Sequence, residues 1–101
     1  MDAANPSDRY CIPSPEPFSR ELTNDQLRAH FRHYMLCDWN PELMMPYLDE
    51  LVLRGDVEAT TDKGILLLPT DRAGAVELLA RSAAMGDLRA RRTLGTLRDD
   101  P

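Results

Sequence analysis

Aromatic side chains make up 6 % of this chain, lysine occurs once, and histidine and cysteine occur twice each, with five glycines in 101 residues. So few glycines leave no Gly-rich loop to cradle a phosphate; no GxSxG elbow and no HExxH pair occurs, and neither histidine has the spacing of a nucleophile and its base. The adjacent acids Asp49 and Glu50 point to different sides of a helix, which disfavours a shared acid–base site. The expectation is therefore a protein without catalytic activity and without a cofactor. No apolar run approaches the roughly 18 residues of a transmembrane helix, and the opening MDAANPSDRY has neither the basic nor the apolar region of a secretion signal. A cytoplasmic protein is expected on that ground. Two cysteines without a secretion signal make no disulfide framework, so Cys11 and Cys37 are expected as free thiols, Cys37 acting as a small hydrophobe on a helix.

What is present is balanced: 43 % hydrophobic and 29 % charged residues in 11.4 kDa predict one small core that folds in water. Twelve bases against seventeen acids give a net charge of -5 and a pI near 4.9, which removes the basic footprint of duplex-binding proteins. Eleven of the twelve bases are arginine, a usage typical of GC-rich bacterial or phage genomes. The charge is unevenly placed. Between Asp38 and Asp62 seven acids face Arg54 alone, whereas between Arg81 and Arg98 five arginines face only Asp87.

Residues 1–22 carry Pro6, Pro13, Pro15 and Pro17, which excludes helix and central strand and predicts an extended arm. Tyr10, Ile12 and Phe18 are its apolar anchors, suited to strapping over the domain or docking on a partner. A domain over 23–98 follows. Its first helix is capped by Thr23 or Asn24 and buries Leu27, Phe31, Tyr34 and Met35. The second opens at Asn40-Pro41-Glu42 and stops at Gly55, with Leu43, Met44, Tyr47, Leu48, Leu51 and Val52 on its apolar side and Pro46 disturbing its first turn. VEATTDKGILLL, residues 57–68, reads as a β-hairpin turning at TDKG. Its second strand, Ile65, Leu66, Leu67 and Leu68, is apolar on both faces and needs a cover. Thr70 or Asp71 caps a third helix ended by Gly86, and Asp87 caps a fourth. The expected fold is mainly α, with one hairpin and a C-terminal antiparallel helix pair.

Across that last pair, small residues stand where two helices would touch: Ala75, Ala80, Ala83 and Ala84 before the Gly86-Asp87 turn, Ala90 and Gly95 after it. The order and spacing of Ala83, Ala84, Gly86, Ala90, Leu94 and Gly95 resemble the Sel-type repeat, a relative of the tetratricopeptide repeat, in one copy over residues 71–97. The resemblance implies a scaffold for protein complexes and no catalysis.

His30, His33 and Cys37 share one side of the first helix and are all zinc-binding types, with Cys11 available as a fourth ligand. No paired ligand spacing supports a metal, so a polar edge beside the core is the expected role. Arg54-Gly55-Asp56 reads as a helix stop. Trp39 is either an exposed partner anchor or the plug of a small core. The helix–hairpin order also resembles a winged helix, but the acidic second helix would repel phosphates. The functional expectation is a small protein–protein interaction module that uses Arg89 and Arg92 on the last helix, the strand Ile65 to Leu68 (which would also pair a homodimer) and Trp39. The alternative is a stoichiometric inhibitor, immunity protein or chaperone using the acidic middle; no membrane or nucleic-acid partner is expected.

Overall fold

A computed structural model describes residues 11–99, with side chains through Leu97, in five α-helices and one π-helical turn. The helices are α1 (Asn24–Arg32), α2 (Pro41–Leu53), α3 (Val57–Leu67), α4 (Arg72–Ala84) and α5 (Leu88–Asp99), and the π turn, His33–Cys37, continues α1. The chain divides into two compact units, 1–51 and 52–101. Among the described residues no helix is long and apolar enough to cross a membrane.

Unit 1 follows its local signals closely. Thr23 closes a capping box with Gln26, each side chain bonding the other's backbone N–H (3.1 and 2.8 Å). Asn40 caps α2 through the Leu43 N–H at 3.1 Å, and Pro46 sits within that helix. Leu27, Phe31, Tyr34, Met44, Tyr47, Leu48 and Leu51 are buried as their spacing requires, while Met35 is half-buried and Leu43 exposed. The arm, from Cys11 onward, lies along α1 and does not fray; Tyr10 falls outside the described residues. Cys11 and Cys37 are not free thiols: they form a disulfide, with their Cα atoms 5.3 Å apart. Their 26-residue separation in sequence concealed this, because only the return of the arm along α1 brings them together.

Unit 2 holds the main correction. Residues 57–68 form α3 and its C-cap, not a β-hairpin, and no strand occurs among the described residues. Asp56 caps the helix by accepting from the Ala59 N–H at 2.9 Å. Thr60, expected in the first strand, and Thr61, expected to open the TDKG turn, direct their hydroxyls back toward the carbonyls of Asp56 and Val57 (2.8 and 3.2 Å). Gly64, read as the turn glycine, serves close packing instead. A Cβ there would lie 2.9 Å from Leu79 Cγ and 3.3 Å from the Ala75 carbonyl of α4.

Leu79 is fully buried and cannot swing away, so the clash in Gly64→Ala outweighs the roughly 1 kcal/mol that alanine contributes as a helix former. We expect a net loss of about 1–2 kcal/mol, read from the denaturant midpoint of unit 2 by circular dichroism; an unchanged or higher midpoint would refute the close-packing role.

The last two helices are antiparallel, as expected. Arg72 at the start of α4 donates to the Leu97 carbonyl near the end of α5 at 3.3 Å. Asp71 caps α4, and Gly86, at φ 98°, makes the tight turn that a side chain would strain. Of the small residues expected between the helices, Ala75 and Ala90 are fully buried and Ala83 half-buried. Ala80, Ala84 and Gly95 are exposed, and Gly95 has open space where a Cβ would stand.

Candidate protein-binding face

The corner joining α1 to α2 presents apolar side chains that the core does not take. The π turn sets its hydrogen bond one residue wider than an α-helix, the Asp38 N–H reaching the His33 carbonyl at 2.9 Å, and the chain closes with a still wider bond from the Asn40 N–H to the Tyr34 carbonyl at 3.0 Å. That register keeps His33 and Tyr34 buried while Leu36, Cys37, Asp38 and Trp39 face solvent. Trp39 is 58 % exposed, with Leu36 at 45 % and Leu43 at 50 %. It is therefore not the plug of the core. Asp38 and Glu42, both exposed, flank it with negative charge. The corner is firmly held, by the Asn40 cap on one side and the disulfide at Cys37 on the other.

The other expected contact residues fare differently. Ile65 to Leu68 are half-buried on the last turn of α3 and at its C-cap, with no open strand edge to offer. Arg89 is not a free contact residue, since its guanidinium meets the largely buried carboxylate of Asp62 at 2.7 Å. Arg92 is exposed on α5.

His30, His33 and Cys37 do share a side of the helix, but each is engaged. His33 Nδ1 accepts from the Ile12 N–H and His30 Nε2 from the Glu16 N–H, both at 2.9 Å. Among the described residues no group of three potential ligands could hold a metal ion.

Unit 2 contains a polar cluster that sequence reasoning missed. Ser82, fully buried on α4, bonds the Thr61 hydroxyl of α3, the Val57 carbonyl at 3.2 Å and Asp87 Oδ2 at 3.3 Å. Asp87 Oδ2 is within reach of the Thr61 hydroxyl too, the two hydroxyls having one hydrogen each to distribute among these acceptors, and the other carboxylate oxygen caps α5 through the Arg89 N–H at 3.1 Å. The Thr61 hydrogen bond chiefly holds the Asp87 carboxyl below the usual carboxylate range; partial burial opposes it, and the Arg89 amide, the Ser82 hydroxyl and the Arg89 charge assist. This serine has a carboxylate and a threonine for neighbours and no imidazole to take its proton, so the arrangement positions helices and does not activate a nucleophile. A groove of about 350 Å³ beside it is lined by Val57, Glu58, Met85, Gly86, Asp87 and Arg89.

Comparisons with protein-family models, curated proteins and solved structures found no match for this chain.

Proposed function

We propose that the protein is a small protein–protein interaction module whose contact face is the corner over residues 36–43. The observation that carries this reading is the exposure of its single tryptophan, with Leu36 and Leu43 exposed beside it. Large aromatic side chains on a held backbone lose little entropy on contact and commonly anchor interfaces. Asp38 and Glu42 flank the anchor and favour a partner surface that is apolar at its centre and basic at its edge. The antiparallel α4–α5 pair with its Gly86-Asp87 turn keeps the likeness to a single Sel-type repeat, which supports an adaptor or scaffold role. The exposed acids equally suit a stoichiometric inhibitor of a basic effector, and the nature of the captured partner separates the two.

The test is affinity capture from the native host with three full-length variants. Trp39→Ala is expected to abolish capture while shifting the unfolding midpoint by no more than about 0.5 kcal/mol, as befits an exposed site. Undiminished capture would reject the corner. Arg92→Glu is expected to fold normally, and if it captures as well as the parent chain the α5 face plays no part. Arg89→Glu sets a new carboxylate against Asp62 and should lower the stability of unit 2 by about 1–2 kcal/mol, so any loss of capture there reports on folding.

A further inference from the structure

We propose that residues 11–18 form an acid-released strap: the arm docks on α1 only while His30 and His33 are neutral, and the Cys11–Cys37 bond keeps the released arm tethered. This inference does not rest on the Trp39 face. A backbone amide can only donate a hydrogen bond, so the ring nitrogens that receive the Ile12 and Glu16 amides must carry no proton. For His30 the tautomer is fixed from the other side as well. Its Nδ1 lies 2.7 Å from the Gln26 carbonyl, which can only accept, so Nδ1 bears the hydrogen and Nε2 receives the arm. Protonation turns each acceptor into a donor aimed at a donor, and both contacts are lost.

The prolines make these two contacts decisive. Pro13, Pro15 and Pro17 have no N–H, which leaves the strap few amides with which to hold on. Its further attachments include a hydrogen bond from the Tyr47 hydroxyl to the Glu16 carbonyl and an edge-on contact of Phe18 with the Tyr47 ring, the centroids 5.5 Å apart. Burial first, then Tyr34 and Glu16, raise the Tyr47 hydroxyl above its ordinary value, so it remains a donor throughout the range concerned.

The titratable groups facing the two rings come from three elements. Tyr47 of α2 stacks on His30 at 4.9 Å, Tyr34 of the π turn meets His33 edge-on at 4.8 Å, and the arm brings the exposed Glu16. On α1 itself Asp25 and Arg28 pair with each other at 3.0 Å. Tyr47 keeps its proton in this range, and the Glu16 carboxylate, in solvent, is screened. In the docked arm the two accepting ring nitrogens carry no proton, and undocking removes that constraint. The docked form thus binds fewer protons, and docking weakens as pH falls.

The experiment is site-resolved hydrogen exchange on the full, disulfide-intact chain, with protection factors corrected for the intrinsic pH dependence of exchange. Between about pH 7.5 and 5.5 the protection of the Ile12 and Glu16 amides should fall at least about tenfold, above the carboxylate range near 4, while the Leu27 and Leu48 amides keep theirs. Unchanged protection at Ile12 and Glu16 would overturn the strap. The double variant His30→Gln, His33→Asn places non-titrating acceptors where the ring nitrogens stood. If its arm stays protected at the lower pH the histidines are the trigger; if it loses protection on acidification as the parent does, they are not.

Discussion

Replacing Cys37 by serine is expected to lower the unfolding free energy of unit 1 by about 3 kcal/mol. The disulfide joins residues 26 apart in sequence, and closing a loop of that size in the unfolded chain removes conformational freedom equivalent to about 3.5 kcal/mol. Both cysteines are exposed, so exchanging sulfur for a hydroxyl group adds little packing cost, and nearly all of the effect acts through the unfolded state. Trp39, the single tryptophan, lies in unit 1, which lets urea unfolding followed by its fluorescence report on that unit. The variant and the dithiothreitol-reduced parent chain should share one midpoint, well below that of the oxidised chain. Coincidence of all three curves would mean that the bond contributes nothing to folding. Disulfides persist in oxidising compartments; in a reducing one the arm would lose this covalent anchor and keep its hydrogen bonds to His30, His33 and Tyr47.

The second large effect is expected at Asp87, whose carboxylate serves three helices at once. One oxygen caps α5, and the other takes the hydroxyls of Thr61 from α3 and Ser82 from α4. Asp87→Ala loses the cap, worth about 1 kcal/mol, and removes a charged acceptor from two hydroxyls, where such bonds contribute about 1.5–3 kcal/mol. Thr61 and Ser82 can turn their hydrogens to each other and to the Val57 carbonyl instead, so the expected total is about 2–4 kcal/mol. Asp87→Asn should cost less, because its amide oxygen can still cap. The pH dependence has a definite sign. The carboxyl is held below its usual range in the folded state, so its contribution is full above the unfolded carboxylate value of about 3.9 and is lost as pH falls through the lower, folded value. Acid unfolding of unit 2 followed by circular dichroism should become shallower in Asp87→Asn; an unaltered acid limb would remove Asp87 from the account.

Much of this molecule is legible residue by residue. Thr23, Asn40, Asp71 and Asp87 mark helix starts, and Gly86 marks a stop, because capping is settled within about four residues of chain. The buried stripe of α1 and the antiparallel α4–α5 pair follow for the same reason: periodicity and tight turns are local. The hairpin expected over 57–68 shows where that reasoning ends. A short apolar run with β-branched neighbours fits strand or buried helix alike. The deciding facts are Leu79 packed against Gly64, Arg89 paired with Asp62 and Ser82 bonded to Thr61, all reaching across at least 15 positions of sequence.

The candidate face and the strap divide along the same line. Sequence placed Trp39 between two helices and the two histidines on one side of α1, but burial and hydrogen-bond partners are properties of what folds back upon them. From sequence the imidazoles are expected only as a polar edge beside the core, because their partners, the Ile12 and Glu16 amides, lie 21 and 14 residues away. By itself, then, the sequence determined the starts of α1, α2, α4 and α5, the amphipathic stripe of α1 and the uneven charge, since each depends on neighbours a few bonds away. Only the tertiary structure decided that α3 is a helix, that the cysteines are joined, that Arg89 is spent on Asp62 and that Trp39 faces solvent, because each requires two distant segments to occupy the same few ångströms.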